Sequence, residues 1–231
     1  VEGGVSSDAQ RNTKAGTNAG EDFDGTNPTD NTLYGYDAGK DISTGDQNTA
    51  IGAYALDAIT TGSATTAVGW QACSSVTSGI RNTGIGWNAL LLTTTGGQNT
   101  ALGYGAGNQI NTGGQNTCLG HEAANALQSG GHNCIIGYNA AYDLTTGSYN
   151  VCLGSEAGAD LTSGGSNVAI GRNALRAATD RNSQVAIGQN ALRLNTSGYS
   201  NTAIGMEALD ACTVGYQNVA VGEHALRYLV G

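Results

Sequence analysis

The fold class predicted by the sequence is an all-β parallel β-roll or β-helix built of seventeen-residue coils, and three observations predict it. First, the residue seventeen places further on repeats its predecessor in kind, with no insertion or deletion, from Asn31 to the end of the chain. Taking Asn31 as column one, that column recurs at Asn48, Thr65, Asn82, Asn99, Asn116, Asn133, Asn150, Asn167, Gln184, Asn201 and Asn218. Second, columns two to four hold short runs of strand formers closed by glycine, such as Thr49-Ala50-Ile51, Thr100-Ala101-Leu102 and Val168-Ala169-Ile170. Third, the period is too short for a helix-turn-helix or leucine-rich repeat, and it contains no ten-residue stretch of helical apolar spacing.

The elements follow in chain order. Residues 1–11 are a polar, Gly/Ser-containing lead without periodicity. Residues 12–30 form a degenerate first coil and cap: Asn12, Gly16, Asn18, Ala19 and Phe23 match the repeat, and an acidic loop with the only proline, Pro28, adds two residues before Asn31. Residues 31–231 are the regular array, which with the degenerate coil makes about thirteen coils. Val1 in place of a start methionine, and Gly231 partway through a coil, suggest a fragment or a processed product.

Within the array two columns do not vary. Column five is Gly from Gly35 to Gly222, which predicts positive φ or a corner too tight for a Cβ. Column eight is Ala from Ala38 to Ala225, which predicts a site where only a methyl fits. Column fifteen is Gly except at Arg181 and follows a Thr/Ser pair, as a turn does. Columns four (Ile51, Val68, Ile85, Leu102, Leu119) and twelve (Ile42, Ile59, Val76, Ile110, Leu127, Leu144, Leu161) hold the larger apolar groups, and the expectation is that they close a thin core inside each chain. Column three (Ala50, Ala67, Gly84, Ala101, Cys118, Ile135, Cys152, Ala169) then points to the other face and is also apolar, so that face is expected to meet another copy of the chain. The Asn of column one is expected to stack as an amide ladder that holds the register.

Composition narrows the function. Gly is 37 of 231 residues, charged residues are 12% and Phe occurs once, which suits an array better than an aromatic-centred globule. The net charge of −9 argues against nucleic acid or an anionic membrane as partner. No apolar run reaches the length of a membrane span and no signal peptide is present, so no membrane insertion is expected. Cys118 and Cys152 share a column two coils apart, Cys134 faces the opposite side, and Cys73 and Cys212 are remote. All five are therefore expected to be free thiols filling small slots, which favours assembly in a reducing cytoplasm.

Units such as Asn201–Leu209 (NTAIGMEAL), Asn82–Leu90 (NTGIGWNAL) and Asn167–Leu175 (NVAIGRNAL) resemble the NTAIGYNAL-type repeats of bacteriophage tail fibres and tailspike-like proteins. The shorter core, VAIG followed two residues later by Ala, is similar to the head repeat of trimeric autotransporter adhesins. The resemblance covers the array, and for both families it implies a left-handed coil and three chains about one axis. What it implies here is a structural fibre segment of a phage tail fibre, a homotrimer assembled in the host cytoplasm and acting on the virion outside. Such a segment spaces or presents a surface for a host-cell glycan or protein receptor. The alternative is the head of a bacterial trimeric surface adhesin, although the shorter period of that family and its coiled-coil stalk and anchor have no counterpart here. A tailspike glycan hydrolase ranks third.

One stripe carries candidate chemistry. Column six holds Tyr36, Trp70, Trp87, Tyr104, His121 and Tyr138, a candidate glycan-binding strip with the amides and acids of column seven beside it. The plainer reading of the same rings is packing over a coil corner. Glu122 and Glu156, two coils apart in column seven, have a separation near the upper range for an inverting glycosidase, yet Gln71, Asn88, Asn139, Asn173 and Asn190 fill the same column as a solvated row. With no metal-ligand spacing, nucleophile elbow or phosphate loop, no metal, cofactor or catalytic residue is expected.

Overall fold

The computed structural model describes residues 6–23 and 28–229; residues 1–5 of the lead, 24–27 of the acidic loop and the array's last two residues lie outside the described set. The described chain is all-β, a β-solenoid with one three-residue strand per coil, in two compact halves that meet in sequence at Gln115 and Asn116. In the first half, β1 (Ser6–Ser7) runs antiparallel to β2 (Thr13–Ala15). The parallel strands β3 (Thr32–Tyr34), β4 (Thr49–Ile51), β5 (Thr66–Val68), β6 (Thr83–Ile85) and β7 (Thr100–Leu102) follow. The second half stacks β8 (Thr117–Leu119), β9 (Cys134–Ile136), β10 (Val151–Leu153), β11 (Val168–Ile170), β12 (Val185–Ile187), β13 (Thr202–Ile204) and β14 (Val219–Val221) in parallel. Register follows the repeat column by column: Ala50 pairs with Ala67, and Cys152 with Ala169. The two extra residues of the acidic loop are absorbed without a register slip, since Thr13 pairs with Thr32. The polar lead is therefore not wholly irregular, because Ser6 and Ser7 pair with the first coil in the opposite direction.

The backbone explains the invariant columns. Gly69, with φ +132°, stands for column five: a Cβ there would come within 2.5 Å of the carbonyl oxygen of Gly86 in the next coil. No side chain fits such a stack of corners. Two further left-handed positions follow at columns seven and nine, for example Gln71 and Cys73 or Asn173 and Leu175, and a third closes the coil at column seventeen, as at Gln98 and Tyr149. Column eight lies between two of these bends and its Ala is buried in its own chain, at Ala55, Ala89, Ala140 and Ala174 among others. Non-glycine residues in this region cost of the order of 1 kcal/mol each, so packing and hydrogen bonds between coils must hold them there.

The core corrects the expected faces of the strand. Column three, expected to meet another chain, points inward: Ala50, Ala101, Cys118, Ile135 and Cys152 are fully buried. Column four, expected inside, points outward, with Ile51 41% and Leu102 48% exposed. The reason is volume. The interior must also take column twelve as expected, with Ile42, Ile110 and Leu144 buried, and column nine, where Leu56, Leu90 and Leu192 are equally buried. Three inward columns leave room for only a small residue at column three in most coils. Columns nine and twelve compensate each other: Gly39 accompanies Ile42, Gly107 Ile110 and Gly158 Leu161, whereas Leu90 accompanies Thr93, Leu175 Ala178 and Leu209 Cys212. Leu56 with Ile59, and Leu226 with Leu229 in the last described coil, are the exceptions. A Cβ on Gly39 would lie 2.9 Å from Cδ1 of Ile42, which shows the constraint directly. Each buried Leu or Ile contributes about 1.5–3 kcal/mol relative to exposure, and near-constant filling avoids the cavities that would forfeit it.

The column-one amides form the expected ladder. From Asn31 to Asn201 the amides are buried, and one pattern recurs: the side-chain oxygen accepts from the backbone N–H of the next coil's column one, and the amide donates to the column-fifteen carbonyl of its own coil. Asn133 shows the pattern, its Oδ1 accepting from the N–H of Asn150 at 2.9 Å and its Nδ2 donating to the Gly147 carbonyl at 2.9 Å. A second ladder runs along column thirteen, where hydroxyls such as those of Thr60 and Thr145 donate to the carbonyls of Thr77 and Thr162. All five cysteines are free, as expected, and burial pushes Cys73, Cys118 and Cys152 up to about 12. Such thiols are packing groups, not nucleophiles.

Candidate functional site

The column-six residues stand at the corner after the strand, displayed there by the positive-φ glycine of column five and the left-handed residue of column seven. Because the coils are in register, each ring has its nearest equivalent about 4.8 Å away. In the first half Trp70 stacks on Trp87 (centroids 5.3 Å, planes 12° apart) and Trp87 on Tyr104 (4.6 Å, 10°). Tyr36 does not join them: Ala53 occupies column six of the intervening coil, and Tyr36 instead meets Tyr54 of column seven edge-on at 5.3 Å. In the second half His121 stacks on Tyr138 at 5.4 Å, and Nδ1 of His121 lies 3.5 Å from the Glu122 carboxylate. The structure thus brings Trp70, Trp87 and Tyr104 together within the first half, and His121 and Tyr138 within the second.

This geometry changes what the stripe can do. The inner faces of the stacked rings cover one another, while Trp70, beside Ala53, and Trp87 remain 40% and 42% exposed. A sugar ring stacks on an aromatic face, and the inner faces of these stacks are occupied.

Glu156, the second member of the carboxylate pair considered above, is bonded to Arg176 at 3.2 Å. Sequence reasoning missed its surroundings: a cavity of about 170 Å³ lies beside it, lined by Asn139, Tyr142, Asp143, Asp160 and Arg176. Burial pushes the Asp160 carboxyl above its ordinary value; the Asp143 and Glu156 charges add to this, and Arg176 opposes it. The only sequence signal was Ala159 between Tyr142 and Arg176 in column ten, a small residue between two long ones. Further along the same column Arg193 grips Asp210 with two bonds of 2.8 and 3.3 Å, and Arg227 approaches Asp210 from the other side at 3.8 Å. No group of three or more His, Cys, Asp or Glu among the described residues is arranged to hold a metal ion. No helix among the described residues is long and apolar enough to cross a membrane. No protein-family model, curated protein or solved structure matches the chain.

Proposed function

We propose that this chain is a structural segment of a phage tail fibre, in which three copies associate and together space or present a surface for a host-cell glycan or protein receptor. The observation that carries the reading is the outward strand face. In every coil of the array it presents column four, Tyr34 in the first and Ile, Val or Leu from Ile51 to Val221, flanked by the Thr, Cys or Val of column two. Ile51, Leu102, Ile136, Ile204 and Val221 are exposed on it. A parallel sheet that is apolar on both faces is ordinarily covered on both, and a ladder of this kind along a monomer surface marks an interface. The identical pitch of every copy allows two such faces to meet in register over their whole length, and the number three follows the resemblance to fibre repeats.

The unpaired thiols support assembly in a reducing cytoplasm before release of the virion. The reading is non-enzymatic, since Glu156 is committed to Arg176 and a column of amides surrounds both glutamates. Sedimentation equilibrium of the purified chain tests it: a mass three times that of the 23.2 kDa chain is expected. The double variant Ile51→Lys, Ile170→Lys places charges outside the core and should dissociate the assembly with its circular dichroism unchanged. A stable wild-type monomer would overturn the proposal.

A further inference from the structure

The cavity beside Glu156 is built from a missing layer. Column ten holds Tyr142, then Ala159, then Arg176, so two long side chains stand two coil steps of about 4.8 Å apart with only a methyl between them. The gap left above Ala159 is of the order of one ring thickness. Its volume of about 170 Å³ is below the usual range for drug-sized ligands and suits one six-membered ring.

The lining selects the chemistry. Asp143, Glu156 and Asp160 carry three carboxylates against one guanidinium, and Arg176 is already bonded to Glu156. A carboxylate accepts hydrogen bonds and repels anions, so the site favours a ligand rich in donors and free of acidic groups. Adjacent hydroxyls of a pyranose supply such donors, and an ammonium substituent supplies the strongest one. The Tyr142 ring adds an aromatic wall, half-buried and absent from column six. None of the lining residues belongs to a strand, so the outward apolar face proposed for assembly leaves the cavity free.

We propose that this cavity binds a single non-acidic sugar unit of a glycan, with a hexosamine bearing a free amine preferred over a neutral hexose, and a hexuronic acid excluded. The proposal rests on the receptor-presenting reading above, and it moves the sugar contact from the column-six rings to columns seven, ten and eleven.

The test uses the intact protein, titrated by calorimetry or ligand-observed NMR with the methyl glycosides of glucose, glucosamine and glucuronic acid. The expected order is glucosamine tightest, glucose weaker and glucuronate undetected. Asp160→Asn should cut the preference for glucosamine over glucose roughly tenfold. Ala159→Leu should abolish binding by filling the gap while leaving melting temperature and sedimentation unchanged, because column ten already takes Leu91, Tyr142 and Arg176 in other coils. No binding by any glycoside, glucuronate binding as well as glucosamine, or binding insensitive to Ala159→Leu would each overturn the proposal. Failure here with an intact trimer leaves the fibre reading standing, whereas a monomer that still binds glucosamine overturns the fibre reading and spares the cavity.

Discussion

The two halves of the chain share one backbone and differ in what they add to it on the outside. In any in-register array the nearest outward neighbour of a residue is its own column, about 4.8 Å away. The first half fills column six with like on like, Trp70, Trp87 and Tyr104, which works because rings attract when stacked with an offset. Like charges at that spacing repel, although Asp143 with Asp160 and Arg176 with Arg193 do stand in adjacent coils. The second half keeps ring pairs such as His121 with Tyr138 and Tyr199 with Tyr216 and adds a mixed-charge stretch, with Asp210 between Arg193 and Arg227 in column ten and Glu207 reaching Arg227 from column seven at 2.8 Å. The difference teaches that the coil prescribes spacing and bends, while the outward columns are free to use any chemistry that tolerates its own repetition or alternation.

The largest effect should erase the difference altogether. Gly69 in the first half and Gly137 in the second have φ of +132° and +144°, and a Cβ on either would lie 2.5 or 2.4 Å from the next coil's carbonyl oxygen. Gly69→Val and Gly137→Val should each cost upwards of about 3 kcal/mol, seen as lost folded fraction in urea titration. A melting temperature close to wild type for either would mean that the corner can open.

The next pair separates the halves. The Asp210 side chain is only 3% exposed, and its removal leaves Arg193 without its two bonds while Arg227 keeps Glu207, so Asp210→Ala should cost about 2 kcal/mol. Trp87→Ala removes two stacks and a half-exposed ring, at about 1–2 kcal/mol. Raising the salt concentration in the same denaturation experiments should narrow the first deficit and leave the second unchanged. Equal salt response in both variants would mean that the charge ladder contributes no more than packing.

The parts of the fold that were legible in the sequence were those set by the backbone. Columns five and eight each admit one kind of residue and column twelve is mostly apolar, and the structure turns all three to the uses expected of a corner, a methyl-sized slot and a core position. The inversion of columns three and four was not legible, because alternation says only that they oppose each other; which one is inside depends on how much else must fit. Column nine decided that. It reads as a disordered mixture of Gly, Ala, Cys and Leu until it is paired with column twelve, where the volumes of Gly39 with Ile42 and Leu90 with Thr93 complement each other. The aromatic stripe was legible as a stack but not as covered faces, and the cavity escaped because a column search registers what is present in a coil and not a side chain that is missing.

A smaller effect concerns carboxylates that the fold moves from their ordinary values. Burial first, then the charges of Asp41 and Asp37, push Asp57 above its ordinary value, and its Oδ1 is buried without a bond. A carboxyl raised in the folded state favours folding when protonated, so Asp57 should weaken the first half above its folded value and cease to do so as pH falls towards 3.8. Asp30 has the opposite sign, since the hydrogen bond from Arg11 holds it low and the benefit is lost in acid. Asp57→Asn should raise stability at pH 7 by no more than about 1 kcal/mol, because solvent reaches half the site. The advantage over wild type should shrink in melts at pH 4. A pH-independent gap would remove ionisation as the cause.

The smallest effect lies in the amide ladder, where each half has one departure from Asn. In the second half Gln184 preserves both bonds, Nε2 reaching the Gly198 carbonyl at 2.6 Å and Oε1 accepting from the N–H of Asn201 at 3.0 Å. In the first half Thr65 preserves one of them poorly. Its hydroxyl accepts from the N–H of Asn82 at 3.4 Å, against 2.9 to 3.1 Å for N–H groups received by Asn31, Asn116 and Asn150. A hydroxyl is also too short to reach across the coil to the Gly79 carbonyl, as Asn48 reaches Gly62. The backbone of this coil matches its neighbours, so Thr65→Asn should fit without rearrangement, restore the bond to Gly79 and shorten the one from Asn82. Two modest gains, offset by the ordering of one more rotatable bond, amount to about 0.5 kcal/mol. Amide hydrogen exchange is the sharper readout: protection at Asn82 should rise severalfold while that at Asn201 stays the same. Unchanged exchange at Asn82 would show that the register between coils is held by the strands alone and that the ladder follows it.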